Sequence, residues 1–538
     1  MNHARIGAYT IAEFLEKAGG LHGYPAPGLL FGGFMVELAK SLLPAGTLFE
    51  AIVETPKCMP DAVQLLTVCS VGNGRLRVVN LGRFALALYD KYSGAGVRVW
   101  LDAAKLDAWP EISGWLLKTT PKKEQDAEKL LDEIGRAGAS VLSFSAVQVA
   151  PRVLEKKNMG AIAICPVCKE PYPRLDGGVC RGCTGEAPYV AQAPAGPRLA
   201  TVDLDQAVGK TALHDMTEVT ETSKGPAIAA GETIAAADLE RLRAMGKNRV
   251  YVSDAVPDAE WVHENDAVLA LARAMAGDGV CFSEAPCEGK ITFFAARNGL
   301  LIVDQAILET VNLVPDVMVA TRQSFLVVEK DRGFAGCRPI PLYLGRRCLA
   351  AALEVLAGAQ LFRVLKLRPL KSAILVTGTE VHEGRVVDRF IPVIAAKLEH
   401  LGATVLATDI VPDDRKAIAE ATQRLIDAGA ELLVTTAGLS VDPDDVTRQG
   451  LQDAGLTDTL YGAPVLPGAM LLLGRIGQTQ VMGVPACGLH AKTTAFDLLL
   501  PRVLAGVAIG RRDLARLADG GYCLSCKACT YPKCPFGK

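Results

Sequence analysis

Of the fifteen cysteines in this chain of 538 residues, four stand as Cys165-x2-Cys168-x11-Cys180-x2-Cys183, two Cys-x-x-Cys turns separated by a short segment with Gly177-Gly178 at its bend. Each turn presents two thiolates from one tight bend, and two turns complete the tetrahedron of soft ligands that zinc prefers. Four cysteines fill the coordination shell and leave no position open for a substrate. The zinc expected here is therefore structural and holds its subdomain together.

A second run closes the chain: Cys523, Cys526 and Cys529 at Cys-x-x-Cys-x-x-Cys spacing, then Cys534-Pro535. This resembles the bacterial ferredoxin ligand run, with a last gap of four residues in place of three. It reads as the ligand set of a 4Fe-4S cluster or of a second zinc. Of the other seven, Cys58, Cys69, Cys281, Cys287, Cys337, Cys348 and Cys487, most are expected as small buried apolar residues. Cys58 and Cys69 differ, because His22-Gly23 lies upstream in a glycine- and proline-rich segment and Asp61 follows Cys58 by three. His22, Cys58 and Cys69 form a candidate His/Cys metal or thiol site.

These groups need a large scaffold. At about 150 residues per domain the length gives roughly three to four folding units. Half of the residues are hydrophobic, 22% are charged and the net charge is −2, so the chain is globular and has no basic field for nucleic acid. The apolar run Pro27 to Val36 is half the roughly 20 residues a bilayer needs, and the N-terminus lacks the order of a signal peptide, so no membrane association is expected. Fifteen cysteines that are ligands rather than disulfides suit a reducing, cytoplasmic setting.

Six segments follow: an α+β domain over 1–160, the four-cysteine zinc ribbon over 161–190, a proline- and alanine-rich linker over 191–200, a mixed α/β region over 201–368, an α/β domain over 369–510 and the cysteine-rich tail over 511–538. The main boundary is placed at the linker. In 369–510 strands and helices alternate: Ala373 to Val376, a helix with Ile391, Ile394, Leu398 and Leu401 on one face, Val405 to Ile410, a helix bearing Ile418, Leu425 and Ile426, and Leu432 to Val434. Repeated βα units predict a doubly wound parallel sheet with ligands at the carboxyl ends of its strands, where Thr377-Gly378-Thr379-Glu380 and Ala437-Gly438-Leu439-Ser440 fall.

Two family resemblances attach to these residues. The first 185 residues resemble the E-subunit family of formylmethanofuran dehydrogenase, with its His-Gly-His-x-Cys-Pro-Gly segment, its Cys-x-x-Asp-Ala element and its four-cysteine ribbon. Here the first segment is His22-Gly23-Tyr24-Pro25-Ala26-Pro27-Gly28, with Tyr24 and Ala26 in place of the family's His and Cys, which weakens any metal site built from it. Cys58-Met59-Pro60-Asp61-Ala62, Cys69 and the ribbon are kept.

From about Val202 to the end the chain resembles molybdopterin-binding proteins related to the molybdenum-inserting transferases, in a variety with a cysteine-rich tail. Thr377-Gly378-Thr379-Glu380 matches the family's Thr-Gly-x-Glu loop. Thr436-Ala437-Gly438-Leu439-Ser440, followed by Asp442, Asp444 and Asp445, matches its Gly-Gly-x-Ser-then-Asp loop, with Ala437 for the first glycine. Pro467-Gly468 and Gly483-Val484-Pro485 match its Pro-Gly and Gly-x-Pro loops.

The resemblance implies a multidomain α/β and α+β protein whose C-terminal sheet binds molybdopterin or its adenylylated form at Thr377, Gly378, Thr436, Gly438, Ser440, Pro467, Gly468, Gly483 and Pro485. Glycine loops at helix N-termini suit the phosphate, and Glu380 and Asp445 suit Mg2+ as hard oxygen donors, helix capping being the alternative for Asp445. A Cβ at Ala437 costs about 1 kcal/mol where a glycine-type conformation is needed, so binding is expected to persist while turnover is lost. Implied partners are molybdate or tungstate, a molybdenum or tungsten oxidoreductase client and a second copy of the chain. Three roles remain open: Mg-dependent metal insertion with release of AMP, non-catalytic carriage of the cofactor, and service as a metal-sensing accessory protein of the oxidoreductase.

Overall fold

The computed structural model describes residues 5–155, 158–189, 196–219, 224–254, 257–436, 438–440, 442–443 and 445–537. They form two compact units, Met1–Asn158 and Met159–Lys538. Half of the expected linker, residues 191–195, lies outside the described residues.

The first unit is built on a helix that its composition disguises. Helix α1 (Ile11–His22) starts on a capping box, in which Thr10 caps the Glu13 N–H and the Glu13 carboxylate accepts the Thr10 N–H at 2.8 Å. Helix α2 (Pro27–Leu42) follows, with Pro27 in its first turn, where no N–H is needed. The apolar run Pro27 to Val36 is the buried first half of this helix. Its glycines set a close approach: a Cβ on Gly32 would stand 2.6 Å from the Ala62 Cβ of helix α3 (Met59–Leu66).

These helices cover a five-stranded sheet of β1 (Phe49–Val53), β2 (Leu76–Val78), β3 (Ala85–Asp90), β4 (Ala95–Leu101) and β5 (Leu142–Gln148), in the order β2-β1-β3-β4-β5. Strands β1 and β2 are parallel and the other pairs antiparallel. The core joins Leu29, Phe31 and Met35 of α2 to Leu86, Leu88, Val97 and Val99 of the sheet.

The second unit opens with the cysteine finger, ahead of the place where the sequence sets the main boundary. The reason is packing. Val167 and Leu313 meet in the finger's small core, a Cβ on Gly178 would overlap Thr310, and Lys169 pairs with Glu354 at 2.5 Å. Next, Thr201–Asp203 pairs with Arg249–Tyr251 in a small β unit. Helices Glu264–Met275 and Arg346–Leu356 then pack on a four-stranded antiparallel sheet that contains Ile291–Ala295 and Gly333–Pro339.

The C-terminal domain holds a six-stranded sheet: β6 (Lys371–Thr377), β7 (Thr404–Val411), β8 (Leu432–Thr436), β9 (Thr457–Tyr461), β10 (Leu472–Ile476) and β11 (Thr479–Val484), ordered β7-β6-β8-β11-β10-β9. The first four in that order are parallel, as the βα alternation predicts. Strands β9 and β10 add an antiparallel edge. No helix separates β10 from β11; the two-residue connection Gly477-Gln478 forces a hairpin.

Helices cover both faces because successive residues of a strand point to opposite sides. Ile374 and Val376 pack with Ile394 and Leu398 of α4 (Phe390–His400) and with Phe496 and Leu499 of α7 (Ala495–Leu504). Ala373 and Leu375 pack with Ile418 and Leu425 of α5 (Arg415–Asp427) and with Leu451 of α6 (Thr447–Asp453). Among the described residues no helix is long and apolar enough to cross a membrane.

Candidate functional site

Three parallel strands, β6, β8 and β11, end side by side, with Val376 opposite Thr436 and Thr436 opposite Val484. The loops that leave them therefore share one edge of the sheet, where a doubly wound fold binds ligands. Thr377 is buried; its hydroxyl donates to the Thr436 carbonyl at 3.1 Å and lies 2.8 Å from the Thr447 hydroxyl. Gly438 sits on that pair with φ 56°, and any Cβ there would overlap Thr447. Thr435 and Thr436 are fully buried, and their hydroxyls have no partner among the described residues.

The other predicted residues fall around this edge. Gly378 caps the turn Thr379–His382, and the Glu380 carboxylate folds back over it, 3.2 Å from where a Gly378 Cβ would be. Asp445 follows β8, and its carboxylate accepts the Asp442 N–H at 3.3 Å, so it stabilises its own turn. Ser440 is exposed. Pro467-Gly468 lies against the start of α7, where the Ala495 N–H donates to the Pro467 carbonyl at 3.1 Å. Pro485 caps the turn Ala486–Leu489. Gly483 lies inside β11, and its missing side chain makes room for Leu439 and Leu472. Ala437, Val441 and Asp444 lie outside the described residues.

Sequence reading missed Asp413, whose carboxylate accepts the Thr379 N–H at 2.9 Å and ties the Thr-Gly-x-Glu turn to the end of β7. Its signal was its place at a strand end, but Asp413-Asp414 also reads as a helix start. Asp414 does that task, accepting the Ala417 N–H at 2.8 Å.

The finger gathers its four ligands. Cys165 and Cys183 sulfurs stand 3.8 Å apart and those of Cys168 and Cys180 3.6 Å apart, against about 3.8 Å for a tetrahedron of 2.3 Å Zn–S bonds. Burial pushes the Cys165 thiol up, but N–H groups of Cys180, Cys168 and Val167 outweigh it and hold it at about 7, while burial and the neighbouring sulfurs push Cys183 up. Four sulfurs within 4.8 Å of one another, with pairs at close to the tetrahedral spacing, form a donor set that fits zinc.

Among the described residues, the finger is the one group of three or more His, Cys, Asp or Glu whose ligand atoms all lie within 4.8 Å of one another. Cys523, Cys526, Cys529 and Cys534 stand farther apart, around a pocket of about 670 Å3 that Cys487 and His490 also line. In the first unit His22 and Cys58 meet, with 3.8 Å between Nε2 and Sγ, and the other imidazole nitrogen of His22 bonds Asp61 at 2.6 Å. Cys69 is fully buried, and its thiol points to the Phe49 carbonyl at 3.6 Å. Burial pushes the Cys58 and Cys69 thiols up.

A doubly wound sheet with glycine loops at its strand ends and a four-cysteine finger stand in one compact unit. Comparison with known proteins makes this specific. Residues 373–505 match the family described as "Probable molybdopterin binding domain", 21–150 the family "FmdE, Molybdenum formylmethanofuran dehydrogenase operon", 156–190 the "FmdE treble clef zinc finger" and 201–254 a domain of unknown function.

A tungsten formylmethanofuran dehydrogenase FmdE-like protein from Syntrophus aciditrophicus is 49% identical, with 35% of this chain and 100% of that chain covered and a TM-score of 0.34. The chain carries an FmdE domain with its treble-clef finger at its N-terminal end and a molybdopterin-binding domain at its C-terminal end. A molybdopterin molybdenumtransferase of Synechococcus elongatus is 25% identical over 33% of this chain and 51% of that protein. A protein of Archaeoglobus fulgidus described as a probable S-adenosyl-L-methionine-binding protein is 26% identical over 34% of this chain and 58% of its own length. The chain spans about half the length of these curated relatives.

Proposed function

We propose that this protein binds molybdopterin, or its adenylylated form, and acts late in the synthesis or delivery of a molybdenum or tungsten cofactor in the cytoplasm. The observation that carries this is the edge where β6, β8 and β11 end: two buried threonine hydroxyls, with no partner among the described residues, lie beside the Gly438 loop in a domain matching the molybdopterin-binding family. The loops at Gly378, Gly438, Pro467 and Pro485 would hold the pterin and its phosphate, and Glu380 and Asp445 would share Mg2+ with that phosphate. In the catalytic form of this reading, the two dithiolene sulfurs bind molybdate or tungstate as one oxide leaves with their two protons as water, and a second water cleaves the phosphoanhydride to release AMP. The acceptor is a molybdenum or tungsten oxidoreductase, and the working unit a homo-oligomer.

A second reading is favoured by one observation. The Asp445 carboxylate is engaged by the Asp442 N–H, which suits a loop that holds a ligand without turning it over. A carrier of this kind would hand finished cofactor to its client. One pair of measurements separates the two: fluorescence of oxidised pterin retained on the purified chain, and AMP released from adenylylated molybdopterin with molybdate and Mg2+. Retention with AMP release, lost in Glu380→Gln, supports insertion; retention alone supports carriage. No retention, with no uptake of supplied pterin, rejects both. Gly438→Val, which overlaps Thr447 and demands positive φ, is expected to abolish retention.

A further inference from the structure

We propose that the pocket beneath the C-terminal tail is a binding site for an iron–sulfur cluster, with Cys523, Cys526, Cys529 and Cys534 as ligands and Cys487 as the wall that joins it to the Pro467-Gly468 loop. Such a site does not depend on pterin binding.

The tail is a loop pinned at both ends. At its start the Leu466 N–H donates to the Gly521 carbonyl at 2.7 Å, and the Cys523 N–H returns to the Leu466 carbonyl at 2.8 Å. At its end the Gly537 N–H donates to the Gly520 carbonyl at 2.8 Å, and Phe536 is 3% exposed within the core that contains Phe496 and Leu499. All four tail cysteines lie between these anchors. They face the pocket of about 670 Å3 together with Cys487, which stands on the turn Ala486–Leu489 just beyond β11.

Among the described residues no three of the tail cysteines have all their sulfurs within 4.8 Å of one another, unlike those of the finger. One zinc draws four sulfurs to about 3.8 Å of one another, as in the finger. A cubane offers each cysteine its own iron, so its ligands stand farther apart around a body of several atoms. The tail cysteines have the second arrangement: a roomy pocket with thiols around its walls.

The surroundings suit an anionic cluster. Lys492 and Lys527 line the pocket. The Ser525 N–H donates to the Cys523 sulfur at 3.5 Å, and the Thr493 hydroxyl lies 3.3 Å from Cys529, in keeping with the hydrogen bonds that stabilise cluster thiolates. Burial pushes the Cys487 thiol up, while the Gly468 N–H bonds its sulfur and so ties the pocket wall to the Pro467-Gly468 loop.

The test is anaerobic reconstitution of the full chain with ferrous iron, sulfide and an equal amount of zinc, reading iron, sulfide and zinc per chain and the spin resonance of the reduced sample. The expected result is about four irons and four sulfides beyond the finger's one zinc. The double variant Cys526→Ser/Cys529→Ser and the single Cys534→Ser should each lose the iron and keep the one zinc, which also reports that the chain is folded. Cys281→Ser, an exposed cysteine elsewhere, should keep both. Two zincs with no iron, or iron retained by the double variant, would overturn the proposal. Iron lost in Cys487→Ser but kept in Cys534→Ser would overturn the ligand assignment.

Discussion

In the finger, two Cys-x-x-Cys turns bring four sulfurs into two close pairs, and a hairpin of Ile162–Ile164 and Pro171–Pro173 supports them. In the tail, the same spacing between Cys523, Cys526 and Cys529 leaves the sulfurs spread around a pocket, closed by Cys534 and by Cys487 from a distant loop. The local turn is shared, so the difference comes from what lies beyond it. The finger folds its second knuckle back on its first, and apart from its seat on Leu313, Thr310 and Glu354 only a metal and a core of Cys165, Tyr172 and Val179 hold it. The tail is draped over a domain that is already folded, and its shape follows the surface beneath.

The largest expected break of this contrast is in the metal. Cys168→Ser/Cys180→Ser should remove the zinc and unfold residues 159–189 locally, because a structural zinc supplies about 10–16 kcal/mol of apparent binding energy to such a finger. Elemental analysis with hydrogen exchange across that segment checks it, and full protection without zinc would place the finger with the tail, as structure that rests on its support.

Phe536→Ala tests the converse. Removing a buried aromatic costs about 3–5 kcal/mol, here drawn from the docking of the tail. Trypsin should then cut at Lys527 and Lys533 while the finger keeps its zinc. Gly178→Ala forces a methyl into Thr310 and should cost about 1–3 kcal/mol in urea unfolding, loosening the seat of the finger without loss of metal. The smallest effect is expected from Lys169→Ala. Its ion pair with Glu354 is about half exposed on both sides, so the loss should be under about 1 kcal/mol and vanish at high salt.

Legibility varied with the range of the interaction that sets each feature. The finger was fully readable, because four ligands at fixed short spacing leave one way to close a tetrahedron. The βα beat of the C-terminal domain was readable from periodicity, and the strands at Ala373, Val405 and Leu432 extend the predicted runs by a few residues. The β10–β11 hairpin was not read, since its strands lack the helix-spaced partner that made the others visible. Helix α2 was also hidden. Its glycines look like loop residues until Ala62 is seen against Gly32.

The loops at the sheet edge divide in the same way. Thr377, Gly378, Thr436 and Gly438 were found as motifs, while Gly483 serves the packing of Leu439 and Leu472, and Asp413 became visible only as the partner of Thr379. His22 and Cys58 stand 3.8 Å apart, but Cys69 faces the Phe49 carbonyl, a direction that spacing does not encode.

By itself, then, the sequence determined the ligand types, the finger that short spacing closes, and the alternation of strand and helix that places glycine loops at strand ends. These depend on residues near one another in the chain, where backbone geometry limits the outcomes. Tertiary structure decided the rest. Packing of Val167, Gly178 and Lys169 gave the finger to the second unit, and the anchors at Leu466 and Phe536 opened the tail's cysteines around a pocket. Those outcomes rest on contacts between residues far apart in sequence, whose positions only the folded core fixes.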